Sequence, residues 1–149
     1  MHKRAAIKNK IVDMLQAGAF PGYVYKTRYT SPGIDKLPVA SVYCPEDDSV
    51  LAASSEHYDR TAKVTIMIYA LGYDHSEDAE NSEQRDIDAE LDALTSTVES
   101  IFCTPIQTLE GTIYRMYLTK TRYMIDTKGE DIVGIAFMDF DAEYKDSII

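Results

Sequence analysis

Three carboxylates alternate near the C-terminus, Asp139, Asp141 and Glu143, and Lys145 follows two residues later. On a strand, this spacing puts all four on one face. Carboxylates gathered on one face could hold Mg²⁺. Glu143-Tyr144-Lys145 also fits the E-x-K half of a nuclease motif. Lys145 would then orient the attacking water, and Asp126 or Asp131 would be the partner acid. The opposing reading is a solvated sheet face. E-x-K recurs by chance in acidic chains, and this chain offers no basic channel for a nucleic-acid strand.

His57 and His75 are a second candidate, with Asp59 and Asp74 close in sequence. A His–Asp pair can act as a base or a metal ligand. Both histidines lie in segments that read as loops, and no Ser or Cys has a nucleophile-elbow pattern around it. They read as surface histidines. Asp74–Asp92 holds nine acidic residues and one basic one, Arg85. Such a face is solvated, repels DNA, or meets a basic partner such as a neighbour's first helix in a ring. Eleven tyrosines and no tryptophan favour interfaces, where Tyr offers area with a polar tip, though several lie in strand-like segments. Cys44 and Cys103 form no CxxC pair and read as two reduced thiols. No P-loop, GxGxxG, GxSxG, HExxH or EF-hand pattern occurs. No metal, cofactor or catalytic residue is therefore expected, and an interaction role is favoured over an enzyme.

The elements that would position these residues follow from periodicity. Ile7, Ile11 and Leu15 recur every four residues, which predicts a helix over Lys3–Ala17 that stops at Gly18. Tyr23–Thr30 reads as a strand and Ser31-Pro32-Gly33 as a turn. Val39–Cys44 is a short buried strand, which Pro45 is expected to end. Pro45–Asp59 is polar and aperiodic and reads as a long loop. Arg60–Tyr73 is the clearest strand, apolar on both faces and therefore central. A helix is expected from Ser76, with Ile87, Leu91, Leu94, Val98 and Ile101 as its stripe and Thr104-Pro105 as its end. Gly111–Asp126 and Asp131–Lys145 read as strands joined by a turn at Thr127–Glu130. In the second of these, Ala136, Met138, Phe140, Ala142 and Tyr144 share the face opposite the acids, as in a half-buried antiparallel edge pair. The sum is one α+β domain over residues 1–149, a mixed or antiparallel sheet with helices packed on one face.

Composition bounds the class. A chain of 149 residues with 45% hydrophobic residues can bury a core without disulfides or metal. The longest apolar run is far too short to cross a membrane, and the basic, amphipathic N-terminus lacks a signal peptide's apolar centre. The net charge of −10 opposes broad phosphate binding. The charge is polarised: residues 1–40 carry seven basic and two acidic side chains, the rest eight and 23. This fits either polar self-association or two solvated faces.

The layout resembles a known family. Leu37-Pro38-Val39-Ala40-Ser41-Val42-Tyr43, the strand Val64–Leu71, the helix around Ile87-Asp88-Ala89-Glu90-Leu91-Asp92 and the closing strand Ile135–Tyr144 look like the tail-terminator proteins of long-tailed bacteriophages, the minor tail protein U type. The likeness spans nearly the whole chain and rests on soft patterns, an LP-x-x-x-V-Y strand and an A-x-x-D-x-x-x-x-Y close. It implies a sheet flanked by helices and a homohexameric ring that caps the tail tube at the head-proximal end of the virion. Such a ring, assembled in the host cytoplasm, ends tail polymerisation and meets the tail tube protein and a head–tail connector or neck protein. Genome DNA passes through its lumen without specific binding, and no membrane is involved. In that setting Glu46, Asp47, Asp48, His57 and Tyr58 of the long loop, and Lys120, Arg122 and Lys128 of the last hairpin, would touch the tube or a neighbour. Lys3, Arg4, Lys8 and Lys10 would form a basic intersubunit helix. The alternatives are the Mg²⁺-dependent nuclease and another head–tail neck protein.

Overall fold

A computed structural model describes residues 3–18, 20–28, 37–51, 57–73, 87–128 and 131–147. The elements are α1 (Arg4–Ala17), β1 (Tyr23–Tyr25), β2 (Val39–Leu51), β3 (His57–Tyr73), α2 (Ile87–Phe102), β4 (Arg115–Lys128) and β5 (Asp131–Ser147). The strands form one mixed sheet in the order β1-β2-β3-β5-β4. β1 runs parallel to β2, and every other neighbouring pair is antiparallel. The fold is α+β, as the periodicity predicts.

Alternation decides which face is covered. Val64, Ile66 and Ile68 of β3 and Ala136, Met138, Phe140 and Ala142 of β5 point to one side and are buried. The helices close over them. α1 contributes Ile7, Ile11, Val12 and Leu15, and α2 contributes Leu91, Leu94, Val98 and Phe102. Phe102 meets Phe140 edge-on, with ring centroids 6.1 Å apart. A smaller apolar cluster, Val39, Met67, Tyr69, Val133 and Ile135, lies on the opposite face.

Two close approaches fix the helices. A Cβ on Gly134 would fall 2.6 Å from the Ile87 side chain, so α2 rests directly on β5 there. Gly18 ends α1 with φ −78°, so its role is not a left-handed cap. A side chain there would instead collide with Ile101.

Several sequence expectations need correction. β2 does not end at Pro45 but runs on to Leu51, and of the long loop expected over Pro45–Asp59, residues 45–51 and 57–59 are strand while residues 52–56 lie outside the described residues. The reason is a bulge. Three steps along β2, from Tyr43 to Glu46, match two along β3, from Thr65 to Lys63. The extra residue lets Pro45, which has no N–H, drop out of the ladder. Arg4 Nη2 donates to the Cys44 carbonyl at this point, at 2.6 Å. Of the strand expected over Tyr23–Thr30, Tyr23–Tyr25 form β1 and residues 26–28 are not strand, while residues 29–30 lie outside the described residues. Residues 111–114 form turns rather than the start of β4. The antiparallel edge pair expected at the end of the chain is present as β5 with β4, and β4 is the outermost of the two. The helix expected from Ser76 is described from Ile87, and residues 74–86 lie outside the described residues.

The link from α2 to β4 is organised by one buried amide. Gln107 Nε2 donates to the Ile101 carbonyl at 3.1 Å, and Gln107 Oε1 accepts the Leu109 N–H at 2.9 Å. Leu109 and Glu110 take left-handed φ values of 48° and 56°, which this clamp holds. Gln107→Leu leaves the Leu109 N–H buried without its acceptor. The expected cost is about 1–3 kcal/mol, read from urea unfolding. No loss of stability would show that the loop is held by Leu109 burial alone.

Candidate functional site

The alternating acids of β5 all lie on the face away from the helices. Each sits in a cross-strand row with polar or basic partners. Asp141 stands between Lys63 on β3 and Tyr117 on β4, and Lys63 Nζ reaches its two oxygens at 2.9 and 3.1 Å. Asp139 stands between Thr65, which donates to it at 2.8 Å, and Lys120, with Arg122 Nη2 at 3.5 Å. Glu143 is paired bidentately with Arg115. Stacked cations reinforce the rows: Arg122 lies over the Phe137 ring at 5.1 Å and Arg115 over Tyr117 at 5.2 Å.

These pairings explain the shifted ionisations. The Arg115 hydrogen bond holds Glu143 below the usual carboxylate range, and burial only partly opposes it. The Asp141 hydrogen bond raises Lys63. Burial raises Tyr117, helped by the negative charge of Glu143 and Asp141.

The rows argue against a metal centre. A basic group stands beside each acid: Lys63 beside Asp141, Lys120 and Arg122 beside Asp139, and Arg115 beside Glu143. Among the described residues, no group of three or more His, Cys, Asp or Glu could hold a metal ion. The nuclease partners are misplaced as well. Asp126 faces Val133 and Asp131 faces Lys128, at the far end of the β4–β5 ladder. Ten residues of β5 separate Val133 from Glu143, roughly 33 Å. Lys145 lies beside the Tyr114 ring, 4.0 Å from Asp59.

A half-open groove of about 410 Å³ crosses this face from β2 to β4, with Glu46, Lys63, Lys120, Arg122, Asp139 and Asp141 on its walls. It therefore unites Glu46 with Lys120 and Arg122, which the sequence places 74 and 76 positions apart. Other expected contact residues fall elsewhere. Asp47 faces the helix side and accepts a 2.6 Å hydrogen bond from the Tyr144 hydroxyl. Asp48 is exposed opposite Thr61, and Lys128 ends β4 opposite Asp131. His57 and Tyr58 open β3, opposite Ser147 and Asp146. His75 and Asp74 lie outside the described residues.

The basic first helix is partly committed within the chain. Arg4 serves the β2 bulge and Lys10 pairs with Glu110, while Lys3 is exposed and Lys8 half-buried. Both thiols are free, and burial raises both, so neither is an activated thiolate.

Sequence reasoning missed Lys63, Thr65 and Arg115. Their signal was present, as polar residues at alternate positions of otherwise strand-forming stretches, but only the register shows which acid each one meets.

No protein-family model matches the chain, and no curated protein matches it.

The Arg115–Glu143 pair gives a signed pH dependence. Glu143 is depressed when folded, so the pair stabilises the protein above the ordinary Glu range and loses that effect as pH falls through the depressed value. The stability gap between wild type and Arg115→Gln should be flat near neutrality and shrink below about pH 4.3. The pair is exposed, so the gap should be small. A gap that widens on acidification would contradict the assignment.

Proposed function

We propose that the chain is a ring-forming structural subunit of the tail-terminator kind. Six copies would cap the tail tube at its head-proximal end, stop its growth and join it to a head–tail connector or neck protein. Genome DNA would pass through the lumen, without a cofactor and without turnover.

The observation that carries this reading is the β4 arm. Its outer edge has no hydrogen-bonded strand among the described residues. Toward its far end Tyr123, Met124 and Ile125 are 53%, 52% and 56% exposed. Three consecutive large apolar side chains on an open strand place apolar surface on both faces, as a subunit contact would use. Two further points agree. Of the segments that carry the family resemblance, Leu37–Tyr43 leads into β2, Val64–Leu71 lies in β3, Ile87–Asp92 opens α2 and Ile135–Tyr144 lies in β5. The β5 acids that would serve a nuclease stand instead in cross-strand rows with basic and hydroxyl groups.

The test is native mass spectrometry across protein concentration and Mg²⁺, followed by addition of the protein to growing tail tubes. A closed species near six times 16.8 kDa, and tubes that stop elongating, are expected. A persistent dimer, or tubes that elongate unchecked, would overturn the reading. Mg²⁺-dependent DNA cleavage lost in Glu143→Gln would replace it with the nuclease. Excising the segment from Pro45 to Asp59 is not a usable control, because it would remove half of β2.

A further inference from the structure

Among the described residues the sheet has two edges without a strand neighbour, and they carry opposite charge. β4 is the terminal strand and bears Arg115, Lys120, Arg122 and Lys128 against one acid, Asp126. β2 is paired with β1 only from Val39 to Ser41. Beyond the bulge, its outer side has no strand neighbour among the described residues. That stretch begins with Glu46, Asp47 and Asp48, and β2 has no basic residue.

We propose that these two edges join copies of the chain: β2 of one copy, through its Glu46–Leu51 stretch, pairs with β4 of the next. The inference takes from the proposed function only that copies assemble head to tail.

Direction, face and charge each fit. β2 is antiparallel to β3, β3 to β5, and β5 to β4, so β2 and β4 run in opposite directions. Rotation about an axis along the strands keeps each strand's direction. It therefore brings β4 against the next β2 as an antiparallel pair, the more stable kind per residue. The same rotation keeps the helix-free face on one side in every copy. Glu46 and Asp48 stand on that face, opposite Lys63 and Thr61. Lys120 and Arg122 stand on it too, opposite Asp139 and Phe137. Each pair of charges is two residues apart, so the acids of one edge can face the bases of the next at matching intervals. All four residues are exposed.

A basic edge alone commonly protects a sheet from unwanted pairing. Here the second open edge carries the complementary charge. A β4–β4 contact would set Lys and Arg against Lys and Arg, and a β2–β2 contact acid against acid. Only the heterologous pairing avoids repulsion, and heterologous contacts make rings when the rotation closes.

Charge reversal tests this. E46K/D48K makes both edges basic, and K120E/R122E makes both acidic. Each variant alone should associate roughly tenfold more weakly than wild type, or worse, by native mass spectrometry. Mixed in equal amounts, they should regain assembly with the two variants in equal numbers, because each junction then joins opposite charges. E46Q/D48N, close in shape to wild type, should weaken assembly to an intermediate degree and guards against misfolding of the reversed forms. Variants that assemble like wild type, or a mixture that fails to recover while wild type assembles, would overturn edge pairing and leave the ring reading standing. Wild type that stays monomeric even on tail tubes would overturn both.

Discussion

The register between β3 and β5 is the constraint on which the rest of the structure depends. It runs from His57 opposite Ser147 to Tyr73 opposite Ile132, with one irregularity near its end. Because side chains alternate, this single alignment does two things. It stacks Val64, Ile66 and Ile68 beside Phe140, Met138 and Ala136 under the helices. It also sets Lys63 beside Asp141 and Thr65 beside Asp139 on the other face. A slip of one residue would bury the acids and expose the core. The polar rows therefore contribute specificity of register as well as modest stability. Exposed pairs of this kind are worth about 0–1 kcal/mol each. A slipped register would leave acids under the helices without those partners, at far greater cost.

Much of this was legible in the sequence. The alternation over Ala136–Tyr144 identifies both faces of β5, and the 4-3-4-3 spacing from Ile87 to Ile101 identifies α2. The two-sided apolar character of Val64–Tyr69 marks β3 as interior. Pro45 and the partners of the acids were harder to read. Proline argues against a central strand, but at an edge with a bulge it is tolerated, and the sequence does not say which strand is an edge. The partners are long-range facts. Lys63 and Asp141 lie 78 positions apart, and no local pattern pairs them. The candidate contact residues divided for the same reason. Glu46, Lys120 and Arg122 converge because β2 and β4 flank one groove, whereas Asp47 points to the other face by simple alternation.

The rows also separate two kinds of polar surface. A catalytic cluster needs groups that converge on a point, with ionisations pushed toward their task. Here the β5 acids extend along one strand, each beside its own basic partner. Glu143 is held more firmly ionised and Lys63 more firmly protonated, which suits fixed charges rather than proton transfer. A line of fixed charges on a strand face suits an extended neighbour better than a small substrate.

The chain's overall charge bears on how such a neighbour could be another copy. At −10 per subunit, identical copies repel one another at long range, and salt reduces that repulsion. Charges facing each other across adjacent strands lie ~5 Å apart, well inside the Debye length of about 8 Å at physiological ionic strength. Salt therefore removes much of the repulsion between subunit bodies while sparing more of the attraction between edges. A subunit with a net charge of −10 and opposite charges on two edges is repelled in most orientations. In the proposed head-to-tail contact the short-range attraction survives.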